Sequence, residues 1–284
     1  MKTVTELSSL RALVAQARAT GKTIALVPTM GALHEGHLSL VRMARRENDF
    51  AVVSIFVNPL QFAAGEDLGR YPRTPERDEA LLESAAADVV YRPDARGFYP
   101  AGFSTAVEVG AVSEGGEGAA RPGHFRGVAT VVAKLFLHVA PDAAYFGRKD
   151  LQQVAVVRRM IRDLDFPVRL VVGDTVREPD GLAMSSRNAY LEPEERARAA
   201  AFPRILAVAA ESAAEGADAR SVEEATRREL EAAGLSVDYV DVVEPETMRR
   251  LAQVSRGAAL AAAVRAGKTR LIDNVLLRAG PQRD

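Results

Sequence analysis

Short apolar runs, each closed by a proline, glycine or asparagine and followed by a helix-length amphipathic stretch, recur through roughly the first 175 residues. This alternation leaves few folds open. Leu7, Leu10, Leu13, Val14 and Ala17 fall at helical spacing and predict an opening helix. Thr23-Ile24-Ala25-Leu26-Val27 reads as a buried strand stopped by Pro28, and a helical pattern follows from His37 to Glu47. Ala51 to Val57 is a second apolar strand, stopped by Asn58-Pro59. Strand, turn, helix and strand make a βαβ unit, whose crossover implies a parallel sheet. The pattern continues with a helix over Glu76 to Ala87 and a strand over Asp88 to Tyr91. Residues 92–123 read mostly as loop, with a short strand at Thr105 to Val109. Helices over Val128–Val139 and Leu151–Leu164 then alternate with strands over Ala143–Phe146 and Val168–Val172. Such a chain folds as a doubly wound α/β domain.

The texture changes after that. Residues 192–235, rich in Ala, Glu and Arg, read as two exposed helices. Three strands follow at Ser236–Val243, Ala258–Val264 and Thr269–Leu277, with a helical pattern over Pro245–Leu251 between the first two. This is an α+β pattern, and the expected division is a domain of residues 1–175 and a smaller one of 176–284.

Composition narrows the function classes. Lys plus Arg (37) balance Asp plus Glu (38), giving a net charge of −1, which speaks against a dedicated nucleic-acid surface. The chain has no cysteine, so thiolate chemistry, Cys-ligated zinc and disulfides are excluded. The N-terminal stretch has no apolar run of signal-peptide length, and no segment reaches the ~18 apolar residues of a membrane helix. A soluble, cytoplasmic protein without a membrane partner is expected.

The chemistry should sit beyond the carboxyl ends of the strands, where an open α/β sheet binds its ligands. The first strand runs into Met30-Gly31-Ala32-Leu33-His34-Glu35-Gly36-His37, which places two of the four histidines within four residues of a helix start. One histidine there would read as a helix cap; two, with a glycine between them, favour an anion held at the helix end. The spacing is wrong for a His-Glu-x-x-His zinc helix, and no Walker A loop or Gly-x-Gly-x-x-Gly fingerprint is present in this turn. Asn58 and Gln61 follow the second strand, where they serve equally as turn residues or as neutral readers of a hydroxyl or carboxylate. Gly147, Arg148, Lys149 and Asp150 lie between a strand and a helix, with Lys149 suited to phosphate and Asp150 to a helix cap or ribose hydroxyls. Ser185, Ser186 and Arg187 suit a phosphate clamp.

Taken in order, these segments resemble the pantoate–β-alanine ligases. Met30 to His37 resembles their His-x-Gly-His signature, shared with the wider nucleotidylyltransferases. The resemblance extends over Ser54–Phe62, Arg121–Val132, Phe146–Gln153, Met184–Asn188 and Thr269–Asn274. It implies a Rossmann-like parallel sheet binding ATP and pantoate, with a smaller C-terminal α+β lid domain. It also implies pantoate, β-alanine and ATP as substrates, Mg2+ as cofactor, a pantoyl-adenylate intermediate and a homodimer. By the same resemblance, the ATP site comprises Met30, Gly31, Ala32, Leu33, His34, Glu35, Gly36, His37, Gly147, Arg148, Lys149, Asp150, Val176, Met184, Ser185, Ser186 and Arg187. His37, His34, Lys149 and Arg187 would be catalytic, with His37 donating a proton as pyrophosphate leaves. Gln61, Gln153 and Asn58 would bind pantoate or β-alanine, and no metal ligand is assigned. Two positions depart from the family pattern: Arg148, where many members carry Glu, and Asp174, where many carry Pro. The alternatives are another nucleotidylyl transferase of the same fold and a nucleotide-binding regulator without ligase chemistry.

Overall fold

The computed structural model describes residues 1–63 and 65–277. Its strands are β1 (Lys2–Val4), β2 (Ile24–Thr29), β3 (Phe50–Ile55), β4 (Val89–Tyr91), β5 (Ala143–Gly147), β6 (Arg169–Gly173), β7 (Ser236–Val243), β8 (Ala259–Ala266) and β9 (Thr269–Leu276). The helices are α1 (Leu7–Ala19), α2 (Glu35–Glu47), α3 (Pro75–Ser84), α4 (Ala95–Phe98), α5 (Gly116–Ala120), α6 (His124–Val139), α7 (Leu151–Asp163), α8 (Pro193–Ala199), α9 (Ala201–Ser212) and α10 (Ala219–Ala232). None is long and apolar enough to cross a membrane.

The first six strands form one parallel sheet in the order β1-β4-β3-β2-β5-β6. From β4 to β6 this is the doubly wound Rossmann-like order, with its reversal between β2 and β5. The carboxyl ends of β2 and β5 therefore flank the crevice where such sheets take ligands. The core around this sheet joins Val27, Val53 and Val90 of the strands to Leu38, Val41 and Ala44 of α2. Strands β7, β8 and β9 form a separate antiparallel sheet. A second core packs Leu260, Ala262 and Val264 of β8 against Phe202 and Leu206 of α9 and Leu230 of α10.

Contacts divide the chain into two compact units. The first comprises 1–109, 121–148 and 156–174, and the second comprises 110–120, 149–155 and 175 onward. Two short segments from within the first 175 residues thus group, by their contacts, with the C-terminal unit.

Several sequence-based expectations need correction. Pro28 does not stop β2: it pairs with Ser54, while pairing with β5 involves only Ala25 and Leu26, so its missing N–H interrupts no ladder. Strand β1 escapes the pattern because three residues, two exposed and one half-buried, carry no periodicity. Residues 105–109 form no strand, and the Val107 N–H donates to the Thr130 hydroxyl instead. Pro245–Leu251 is a turn rather than a helix. The Glu244 carboxylate accepts from the Glu246 and Thr247 N–H groups, and Met248 adopts a φ of +57°. The two helices expected over 192–235 are three, with a break at Ala200 and inward-facing residues on the last two. Helix α6 starts at His124, four residues before the expected Val128.

Candidate active site

In the first unit, the residues after β2 adopt a shape that needs help. Gly31 (φ +81°) and Ala32 (φ +48°) are left-handed in succession, and alanine in that region is strained. Asp78 on α3 holds them there. Its carboxylate, 1% exposed, accepts from the N–H groups of Ala32 and Leu33 at 2.8 Å each and from the Thr74 hydroxyl at 3.0 Å. Successive backbone N–H groups in a turn form a nest for an anion, and here the Asp78 side chain fills it. A Cβ on Gly31 would meet the Asp78 carboxylate at 3.0 Å, so glycine is needed for space as well as for φ. Leu33 points into the core.

The strained turn delivers His34 to the N-cap of α2 in extended conformation. The His34 and His37 rings lie 4.1 Å apart by their centroids, and the His34 N–H donates to His37 Nδ1 at 3.4 Å. This contact engages Nδ1, so Nε2 is the ring nitrogen from which His37 would offer a proton. Glu35 pairs with Arg42, and Gly36 lies in the same first helical turn.

Beyond β3, Asn58 and Gln61 form one hydrogen-bonded knot. Asn58, 1% exposed, donates to Gln61 Oε1 at 3.0 Å and to the Gly127 carbonyl at 3.1 Å. Its own oxygen accepts from the Tyr99 hydroxyl at 2.9 Å and the Leu60 N–H at 3.3 Å. Gln61 Nε2 lies 3.2 Å from Met30 Sδ, tying this knot to the turn after β2. Helix α6 closes on it from below: a Cβ at Gly127 would meet the Leu60 carbonyl oxygen at 2.2 Å. His124 Nδ1 lies 2.9 Å from the Gln61 carbonyl. Arg121 clasps Glu66 through two contacts of 2.7 Å. Burial works to raise the Glu66 carboxyl, but the Arg121 fork outweighs it and holds the group below the ordinary carboxylate range.

Gly147 ends β5 and pairs with Gly173 of β6. Arg148 and Asp174, the two departures from the family pattern, meet in an ion pair at 3.1 Å. Asp174 is 89% exposed there, so the pair contributes little stability. One unusual residue accompanies the other.

The second unit assembles the remaining candidates. Lys149 Nζ lies 3.3 Å from Asp150 Oδ1. The adjacent glutamines diverge. Gln152 is buried and spends its side chain on Val112, Gly115 and Glu117, whereas the side chain of half-buried Gln153 makes no hydrogen bond to the described residues. Val176 and Met184 face each other across a small hairpin closed by the Met184 N–H on the Val176 carbonyl at 3.0 Å. The Ser185 hydroxyl accepts from the Arg187 N–H at 3.2 Å and caps the turn Ser186–Tyr190. Among the described residues, no three acidic or histidine side chains converge as a metal site.

Sequence reasoning missed Asp78. Its only signal was an acidic residue in the first turn of a helix, which is ordinary helix chemistry.

The sequence matches the family model described as pantoate-beta-alanine ligase over residues 2–276. It is 52% identical over 281 residues to the pantothenate synthetase of Roseiflexus sp., covering 98% of this chain and all of that one. It is 51% identical over 276 residues to the pantothenate synthetase of Sphingopyxis alaskensis, covering 97% and 99%. The fold matches a pantothenate synthetase crystal structure from Thermus thermophilus with a TM-score of 0.92 and 50% identity, covering 98% of this chain and all of that one. It also matches a pantoate-beta-alanine ligase from Francisella tularensis, complexed with beta-gamma ATP and beta-alanine. There the TM-score is 0.84, with 33% identity over 99% of this chain and all of that one.

Proposed function

This chain belongs to the pantoate–β-alanine ligase family, and from that we propose that it joins pantoate to β-alanine at the expense of ATP, through a bound pantoyl adenylate. The observation that carries the reading is the contact between Gln61 and Met30, which sets a neutral amide beside the turn that opens the histidine-bearing helix. In the first step the pantoate carboxylate attacks the α-phosphorus, an acyl–phosphate bond forms, and the bond to the bridging oxygen of pyrophosphate breaks. The His37 Nε2 proton meets the charge developing on that oxygen, with His34 beside it. Glutamines 61 and 153 suit the carboxylate because they orient it without the tight salt bridge that would blunt its attack. Asn58 spends its own hydrogen bonds inside the protein and orients Gln61. In the second step the β-alanine amine attacks the acyl carbon, the C–N bond forms, and AMP departs.

Fixed cations at Lys149 and Arg187, with the positive end of α2, favour the crowded polyanion of the first step. Glu35, Gly36, Gly147, Arg148 and Asp150 line the nucleotide, and Val176 with Met184 flanks the adenine, near the Ser185–Ser186 turn. Mg2+ fits as a companion of the phosphates, because it binds through one or two carboxylates plus substrate oxygens rather than a protein cage; Asp150, which also contacts Lys149 Nζ, would hold it. When bound, it neutralises phosphate charge. The enzyme acts in the cytoplasm as a homodimer, with residues 1–175 as the nucleotide and pantoate domain and 176–284 as the lid.

Pantoate labelled with ¹⁸O in its carboxylate tests the route. Label is expected in AMP after turnover with ATP and β-alanine; label in inorganic phosphate would mean an acyl phosphate and end the adenylate reading.

A further inference from the structure

The segment Thr269–Asn274 carries part of the family resemblance, yet none of its residues is assigned to a substrate. In the structure it is most of β9, and the adjacent polar residues that close it are almost fully buried: Asp273 is 3% exposed and Asn274 is 5% exposed. Successive side chains leave a strand on opposite faces, so one dipeptide reaches two segments. Asn274 Nδ2 donates to the Lys149 carbonyl at 3.0 Å. Asp273 accepts from both Arg177 guanidinium nitrogens, at 2.6 and 3.1 Å, while Arg177 Nη1 also reaches the Gly181 carbonyl at 3.1 Å. Arg177 bridges to Ala183 within the hairpin whose ends are Val176 and Met184. Asp273 Oδ1 accepts the Asn274 N–H at 2.8 Å as well, locking the two residues together.

We infer that Asp273 and Asn274 are positioning residues for the nucleotide, fixing the Lys149 turn at a set distance from the Val176–Met184 hairpin. The inference rests on the reading that these two segments contact ATP. Buried polar groups with so few alternatives hold their partners to a narrow geometry, and phosphate and adenine contacts depend on that spacing. Loss of either side chain should therefore act on ATP and leave pantoate alone.

The test is Asn274→Asp, which keeps the shape and replaces the N–H donor with an oxygen facing the carbonyl. Asp273→Asn, which removes the charge from the Arg177 fork, is the companion variant. ATP affinity, pantoate affinity and thermal midpoint are measured on each variant, on Lys149→Ala, and on the double variant Asn274→Asp/Lys149→Ala. Each single variant is expected to weaken ATP binding about tenfold, the scale of one lost buried hydrogen bond, with pantoate binding unchanged. The double variant should lose less ATP affinity than the sum of the two single losses, because Asn274 holds the turn that carries the Lys149 side chain. Equal losses for ATP and pantoate, or additive losses in the double variant, would overturn the inference. If Lys149→Ala weakens ATP binding and Asn274→Asp does not, the inference alone falls; if Lys149→Ala has no effect, the nucleotide-site reading falls and takes it along. Asn274→Ser, whose hydroxyl is too short to reach, stands in should Asn274→Asp fail to fold.

Discussion

Asp78 illustrates how much one buried side chain can decide. Its two oxygens hold a turn that a left-handed alanine would otherwise resist, and that turn sets where His34 enters α2. Asp78→Asn keeps the volume but turns an N–H2 toward a backbone donor. We expect it to cost about 1–3 kcal/mol in urea unfolding, the range for an unsatisfied buried group. Pyrophosphate release in a single turnover should slow as well; a loss of stability with unaltered chemistry would make Asp78 a fold residue only. At His37 the expected outcome separates the two steps. His37→Ala should slow pyrophosphate release by about 10²–10⁴-fold, the usual worth of general acid assistance. Supplied with preformed pantoyl adenylate, it should still form the amide at a near-normal rate, since no polyphosphate leaves then. Equal slowing of both steps would reduce His37 to a helix-capping role, which its contact with the His34 N–H already gives it.

At the scale of elements, α6 carries two consequences. Alanine is a better helix former than glycine, yet Gly127→Ala is expected to destabilise, because its Cβ would stand 2.2 Å from the Leu60 carbonyl oxygen and force the backbone there to shift. The cost should be about 1–3 kcal/mol, with weakened pantoate binding as the 59–61 turn is pushed away; calorimetry would show both. His138 on the same helix contacts the Tyr91 hydroxyl at 3.3 Å and the Phe98 ring at 5.1 Å between centroids. Burial, then the charges of Lys134 and Arg11, lower its pKa from 6.5 to about 4. A group depressed on folding takes up its proton more readily when unfolded. Stability is thus intact above pH 6.5 and falls as pH drops toward 4. His138→Gln should lose less stability than the parent between these limits in urea titrations; parallel losses would remove His138 as the source. The elements themselves were largely legible, because strand and helix periodicities survive in any buried βαβ unit. What was not legible turned on partners distant in sequence. Pro28 continues β2 because of where β5 stops pairing, and residues 105–109 lose their strand to a hydroxyl on α6.

At the scale of the molecule, the chain divides into two units, each with its own core. The proposed homodimer should sediment at about twice the 30.5 kDa chain mass; a single-chain mass at every micromolar concentration would refute it. The sequence by itself determined the fold class, the family and the residue types at the site, because these reside in local periodicity and in ordered motifs. Only the tertiary structure decided which of those residues are spent. Gln152 and Gln153 are adjacent and identical in kind, yet the first is consumed by the 110–120 segment and the second is half-buried with no such partner for its side chain among the described residues. Asn58 is likewise consumed within the protein, and Asp78, unremarkable in its helix, fills an anion nest. The reason is physical: a buried polar group must find a partner, and which partner it finds is fixed by the folded backbone and not by its neighbours in sequence.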